Sequence, residues 1–428
     1  MQLTIHRGTK EIGGSCIELT TASTRLVLDL GLPLVDANRE PFDSRAALAK
    51  STGALRAERV IPAIPGLFDK DHSAPDGVLL SHAHLDHAGL LHLSRSTVPI
   101  YSTSGTSKMM LAAAVFAGQK QLDRSRFREV KSQHAFDIGD CRVTPLAVDH
   151  SIFGSVAFSI EAEGKTVLYS GDFRNHGRKP GMIRDLLDHV KSKPVDVLIV
   201  EGTHFGSDRD QGLTEYQLEE KIVELIQTAP ALVLATFSAL DVDRIVTLYK
   251  AAQRAGKVFV VDAYTAFVLH LVQGKLPRPS REAGIRVFFN ELFERRNLAN
   301  IREKFLADRI ELSEVLAEPT KYVMVFRPSM RDFDFHGKLP PRSRCLYGYW
   351  KGYLTRPDWI ELQEHLAEVG GDFIPAHVSG HAYVADIVSF VNSVNAKTVI
   401  PIHTFEPQLY REHFPNVTML RDGEPREF

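Results

Sequence analysis

The sequence predicts an α/β protein of two domains, one set inside the other, and three observations predict it. Five apolar runs, at 78–80, 143–148, 167–169, 197–200 and 399–402, each lead into a His, Asp or Glu. Such strand ends, side by side in one sheet, converge on a single rim. From Gly212 to about Cys345 short apolar strands alternate with stretches of helical spacing, the signature of a parallel α/β unit. The last of the five runs comes after that stretch, so the first domain resumes behind an insertion.

In chain order, residues 2–29 read as short strands. Leu3 and Ile5 alternate with polar neighbours, Gly13-Gly14 punctuates, and 16–19 and 26–29 are apolar or β-branched. Asp29 closes this region as either a turn residue or a carboxylate that accepts from a ligand histidine. Residues 32–76, rich in Pro, Ala and charge, read as helix and loop.

The densest chemistry follows at 81–89, SHAHLDHAG, directly after Val78-Leu79-Leu80. His82, His84, Asp86 and His87 fall within six consecutive positions. Borderline-soft divalent metals take this mixture of nitrogen and oxygen, and a tight loop can aim all four donors at one point. A solvated His-rich loop is the plain alternative, and the preceding buried-looking strand speaks against it.

Residues 90–94, 107–117 and 120–131 read as helical, with Arg124, Arg126, Arg128 and Lys131 forming a solvated basic face. The strand ends supply His150, Asp172, Glu201 and His403. Inside the insertion Thr214 and Gln217 make a capping box, followed by Leu218, Ile222, Leu225 and Ile226 at helical spacing. A strand at 231–235, a helix at 241–255 and strands at 258–261 and 324–326 come next. Arg327, Arg331, Arg342 and Arg344 read as surface cations.

The 428 residues, 44% hydrophobic and 24% charged, suit two or three globular domains. A net charge of −2 leaves nucleic-acid contact to local patches. Three scattered cysteines give no disulfide framework and suit a reducing cytoplasm. MQLTIHRGTK has no apolar signal core, and no run of about twenty apolar residues predicts a membrane span.

The motifs EIGGSCIEL, LDLG, SHAHLDHAG, DHSIFGS, YSGDFR, VEGTHFG, HVSGHA and IPIHT occur in this order over nearly the whole chain. Together they resemble the β-CASP nucleases of the metallo-β-lactamase superfamily, which include ribonuclease J and the mRNA cleavage-and-polyadenylation endonuclease. HVSGHA leans toward the former; GGSCIEL and SGDFR lean toward the latter. The sequence runs only a short way past His403, so the extra C-terminal domain of ribonuclease J is not expected.

The resemblance implies a four-layer αββα metallo-β-lactamase fold over residues 1–208 and 350–428, with an inserted β-CASP domain at 209–349. It implies two zinc ions, with manganese as the alternative. His82, His84 and His150 would hold one, Asp86, His87 and His403 the other, and Asp172 would bridge. Asp86, Glu201 and His381 would be catalytic, with His381 as general acid and Glu201 as its partner. Asp29, in its LDxG setting, would support a ligand histidine, and His377 and Ser379 would bind a substrate phosphate. Group members acting on RNA have His where DNA-acting ones often have Val, so His403 implies RNA. The expected activity is a ribonuclease on single-stranded RNA, leaving 5′-phosphate and 3′-hydroxyl ends, with no membrane partner and a homodimer left open. Two readings compete: a hydrolase of DNA, a small phosphodiester or an ester, and a non-catalytic RNA-binding subunit.

Overall fold

Leu26 and Leu28 of the strand Arg25–Leu28 face one apolar layer and Val27 faces another. The same split divides Val197 and Ile199 from Leu198 and Val200 in the strand Val197–Glu201. A strand buried on both faces, with period-two alternation between two cores, lies inside a layered sandwich. The computed structural model describes residues 1–36, 40–207, 211–272, 274 and 276–428. The chain divides into two units, Met1–Gly212 with Gly380–Phe428, and Leu213–Ser379.

The first unit has two sheets. One, of seven strands, runs Pro425–Glu427, Gln2–Arg7, Cys16–Thr20, Arg25–Leu28, Gly77–Leu79, Ile100–Thr103, Phe127–Val130. The other, of six, runs Thr398–Ile402, Val197–Glu201, Lys165–Tyr169, Val156–Ala162, Cys141–Ala147, Phe136–Ile138. Their facing sides share one core, in which Leu3, Ile5, Ile17 and Leu28 meet Phe158, Ile160, Ile199 and Ile400. Each such buried aliphatic side chain contributes about 1.5–3 kcal/mol.

Outside the six-stranded sheet, Leu168, Leu198 and Val399 pack with Ile183 and Leu186 of the helix Gly181–Ser192 and Phe390 of the helix Val384–Val394. Outside the other sheet, Val27, Val78 and Ile100 pack with Leu55 of the helix Thr52–Ala57 and with Leu90 and Leu91. The layers are therefore helix, sheet, sheet, helix. The parallel ladder between Val197–Glu201 and Thr398–Ile402 joins the two chain segments of this unit, setting Glu201 opposite Ile402.

The second unit is built on a seven-stranded sheet in which the described pairings are parallel. Its order is Arg309–Ile310, Ile285–Phe288, Val258–Asp262, Tyr322–Val325, Val233–Thr236, Arg344–Tyr347, Asp372–Pro375. The near-continuous apolar strands VLAT and YVMV, buried throughout, are what a sheet covered on both faces requires.

Three expectations need correction. The charged segment 120–131 is not a helix: after a short 3₁₀ turn at Arg124–Arg126, Phe127–Val130 adds in parallel to Ile100–Thr103 as the edge of its sheet. Arg126 is buried there and donates to the carbonyls of Val98 and Leu91 and to Ser94 Oγ, so that cation is structural. The return to the first unit comes at Gly380 rather than 350, because Asp372–Pro375 pairs with Arg344–Tyr347 and so keeps 350–379 with the inserted sheet. Arg327 is no free surface cation, being mostly buried against Asp262. The expected boundary at 208/209 lies outside the described residues.

Candidate metal centre

Lys165–Tyr169, Val197–Glu201 and Thr398–Ile402 are parallel neighbours, and Cys141–Ala147 runs the same way across its antiparallel partner Val156–Ala162. Their C-terminal ends therefore open on one rim, which receives His150, Asp172, Glu201 and His403. In the other sheet Arg25–Leu28 and Gly77–Leu79 are parallel, with Leu28 opposite Leu79, so Asp29 comes beside the start of the histidine loop.

That loop is locked by its backbone. His84 caps the short helix Leu85–Ala88, which carries Asp86 and His87. Ser15 N donates to Asp86 O, Leu30 N to His87 O and Leu32 N to Leu85 O. Gly31 permits this approach, since a Cβ there would stand 1.7 Å from Asp86 O. Asp29 and His403 both take left-handed backbone, with φ of 57° and 52°. Such conformations persist where their surroundings over-determine them.

The side chains form adjoining donor sets. His82, His84 and His150 make one, Asp86, His87, Asp172 and His403 make the next, and Asp172, Glu201, His381 and His403 make a third that overlaps it, with donor atoms within 4.8 Å of one another in each. His84 Nδ1 lies 3.1 Å from both His82 Nε2 and His150 Nε2. Asp172 Oδ2 lies 3.1 Å from His87 Nε2, 3.8 Å from His82 Nε2 and 3.8 Å from His403 Nε2, and so stands between the two sets. His403 Nε2 is 3.2 Å from Asp86 Oδ2. His381 Nδ1 faces Glu201 Oε2 at 3.1 Å and Asp172 Oδ2 at 3.6 Å.

A second ring of contacts orients these imidazoles. Asp29 Oδ2 accepts from His87 Nδ1 at 2.7 Å, and the same carboxylate accepts from Ser81 N, Ser81 Oγ and Tyr169 Oη. His150 Nδ1 donates to Gly380 O, and His403 Nδ1 lies 2.9 Å from Thr203 Oγ1. In each case Nδ1 is engaged and Nε2 is left facing the donor sets.

Comparison with known proteins fits this geometry. A sequence profile described as Beta-lactamase superfamily domain matches residues 47–247. An RNase J-like protein of Methanocaldococcus jannaschii is 29% identical over 281 residues, 61% of this chain and 58% of that protein. A ribonuclease J of Mycobacterium tuberculosis is 23% identical over 353 residues, 77% of this chain and 58% of that one. The superfamily profile and the relatives named ribonuclease J support the expected metallo-β-lactamase, β-CASP ribonuclease group. A ribonuclease J of Helicobacter pylori is 25% identical over 210 residues, 48% of this chain and 28% of that protein. The chain thus matches less than two thirds of the length of these relatives. The crystal structure of an Enterococcus faecalis protein of unknown function shares the fold, with a TM-score of 0.81 at 20% identity and 99% of each chain covered.

The rim has the chemistry to hold divalent metal. His87 Nε2 and Asp172 Oδ2 are buried and have no hydrogen-bond partner among the described residues. Orphaned polar atoms at this depth cost about 1–3 kcal/mol each unless something answers them. Imidazole nitrogens and carboxylate oxygens in this number suit a divalent metal ion.

Electrostatics divides the rim. Burial, with the neighbouring imidazoles, holds His82 and His150 well below the ordinary histidine range. Burial also takes His84 down to about 4. All three are then neutral, the form that ligates. Burial works against the charge on Asp172, but His403, His87 and His381 hold its carboxyl well below the usual range. Burial would likewise lower His381, yet Glu201 and Asp172 raise it to about 9, so it carries a proton at neutral pH.

The nine candidates on this rim come together, with Asp29 behind His87. His377 and Ser379 belong to the second unit, where His377 Nδ1 donates to Gly348 O at 3.0 Å and Ser379 is buried. Ser81, Tyr169 and Thr203 carry no signal of their own in the sequence, because a hydroxyl has no ligand spacing to betray it. Arg174 and Asp149 are equally silent there. They form a fully buried pair, with Arg174 N donating to Asp149 O, and tie the loop of His150 to the loop of Asp172.

Proposed function

We propose that this protein is a ribonuclease that hydrolyses phosphodiester bonds in single-stranded RNA with the aid of two zinc-type divalent ions. His82, His84 and His150 would hold one ion; Asp86, His87 and His403 would hold the other; Asp172 would be shared. Bound there, the ions would supply Lewis-acid stabilisation of phosphoryl charge and a lower pKa for attacking water. The observation that carries the reading is the placement of His381, paired with Glu201, beside the carboxylate that stands between the two donor sets.

The chain's own residues supply the rest. Glu201 Oε2 engages His381 Nδ1, which leaves Nε2 as the proton-giving atom. As the bond from phosphorus to the 3′-oxygen breaks, His381 passes its proton to that oxygen, which leaves as a hydroxyl. The oxygen of water ends on phosphorus and gives up one proton to solvent, from which His381 is reprotonated, so the product carries a 5′-phosphate. Asp86 Oδ2 lies 3.2 Å from His403 Nε2, so both donors face the same proposed ion.

The names of the relatives, ribonuclease J and RNase J-like, support RNA as the substrate class, and so does histidine at 403. The inserted unit at 213–379 fits the β-CASP domain, with His377 and Ser379 reserved for substrate phosphate. Cys16, Cys141 and Cys345 are buried and free, as a reducing cytoplasm would keep them. Among the described residues no helix is long and apolar enough to cross a membrane.

End-labelled RNA and DNA, incubated with purified protein with and without chelator, test the reading. RNA should be cut to 5′-phosphate ends and chelator should stop the reaction. Cleavage of DNA alone, or cleavage indifferent to chelator, would overturn it.

A further inference from the structure

Glu201, His381 and His403 meet at one hydroxyl. The strand Val197–Glu201 ends, Gly202 turns the chain, and Thr203 Oγ1 arrives 2.7 Å from Glu201 Oε2. The same oxygen is 3.1 Å from His381 Nδ1 and 2.9 Å from His403 Nδ1. A threonine hydroxyl has one proton and two lone pairs. Glu201 Oε2 at 2.7 Å is much the nearer of the two pure acceptors, His403 O being 3.5 Å away, so the proton goes there. The lone pairs are left to accept, and both imidazoles must then present N–H from Nδ1. His381 shares its Nδ1–H between Thr203 Oγ1 and Glu201 Oε2, while His403 gives its own to Thr203 alone.

This sets both rings at once. With Nδ1–H committed, His403 keeps the lone pair of Nε2 on the side of Asp86 and Asp172, where a metal ligand must have it. His381, with Nδ1 committed, donates from Nε2. We propose that Thr203 is a positioning residue that couples the general acid to the metal ligand, holding His381 and His403 in one tautomer and orientation each. The proposal rests on the two-ion ribonuclease reading above and adds to it a residue that touches neither substrate nor ion. The backbone around it is stiff: Tyr410 Oη donates to Glu201 O, and a Cβ on Gly202 would press on the Tyr410 ring at 2.9 Å.

Thr203→Val keeps the shape and deletes the hydroxyl, and Thr203→Ser keeps the hydroxyl and deletes the methyl. Two readouts apply to each: ion retention against graded chelator, counted by elemental analysis, and cleavage rate of labelled RNA at saturating metal. In Thr203→Val one of the two ions should be held about 10–100-fold more weakly, the usual cost of losing a group that orients a ligand. At saturating metal its cleavage should still be about 10–100-fold slower, because His381 has lost part of its support. Thr203→Ser should restore both. The proposal falls if Thr203→Val holds both ions as the wild type does, if its rate recovers fully once metal saturates, or if serine does no better than valine. Should the wild-type protein bind ions yet leave RNA uncut, the ribonuclease reading fails by itself. Ion retention in the two variants then still decides the role of Thr203.

Discussion

At the C-terminal ends of its six-stranded sheet the first unit presents His150, Asp172, Glu201 and His403. At the same ends of its parallel sheet the second unit presents Asp262 and, two residues beyond Tyr322–Val325, Arg327. Arg327 Nε donates to Asp262 Oδ2 at 2.9 Å, Nη2 to Thr265 Oγ1 at 3.2 Å, and Nη1 to Tyr349 Oη and Phe237 O. Asp262 Oδ1 also caps the helix Ala263–Leu271 through Thr265 N. Opposite charges have closed on each other there. On the rim of the first unit, imidazoles face imidazoles as well as carboxylates, and His87 Nε2 and Asp172 Oδ2, 3.1 Å apart, complete no hydrogen bond among the described residues. Charged strand ends are common to both units; a group built to take a ligand differs in leaving donors that its own neighbours cannot satisfy.

The sharpest way to break that contrast is Asp172→Ala. Because Asp172 stands between both donor sets, this change should strip more metal than any single histidine replacement. Cleavage should fall by about 10⁴-fold, since several kcal/mol of charge stabilisation leaves with the ions. Elemental analysis finding both ions retained would remove Asp172 from the shared position.

His381→Ala should separate acid from ligand. Cleavage should drop by roughly 10²–10⁴-fold while metal content stays as in the wild type. A substrate with a sulfur leaving group needs little protonation and should recover much of the lost rate. Loss of an ion, or no recovery with sulfur, would make His381 part of the ligand set.

In the second unit the expected cost is stability alone. Arg327→Met leaves Asp262 buried and unpaired and should destabilise by about 3–5 kcal/mol in chemical denaturation. Pairing it with Asp262→Leu should return most of that loss, because an apolar pair replaces a closed ionic one. Neither change should alter metal content, and a metal loss would end the distinction between the two rims.

The smallest effect belongs to Asp29→Asn. The carboxylate accepts from Ser81 N, Ser81 Oγ, His87 Nδ1 and Tyr169 Oη, and an amide turns one acceptor oxygen into a donor. Metal affinity should weaken by about 10–100-fold in a chelator titration, with the fold intact by circular dichroism.

The sequence by itself determined the local terms. Apolar alternation wrote the strands, and the residue after each strand wrote which donor stands at its end. H-x-H-x-D-H put three donors on one cap and one helical turn, with His82 two residues ahead, because that arrangement needs six residues and no distant partner. Local pattern also misled. The charge-rich segment 120–131 has helical composition, but its strand exists only because Ile100–Thr103 offers an open edge.

Tertiary structure decided everything that depends on residues far apart in the chain. Asp29 reaches Tyr169 across 140 positions and Thr203 reaches His403 across 200, and nothing in the spacing of either motif encodes such a meeting. The insertion ends at Ser379 because Asp372–Pro375 found a parallel partner in Arg344–Tyr347. The same holds for the contrast between the two rims. Whether an Asp at a strand end is neutralised by an arginine or left facing imidazoles depends on which strand becomes its neighbour. Strand order is settled by the packing of whole layers, and no single strand carries it.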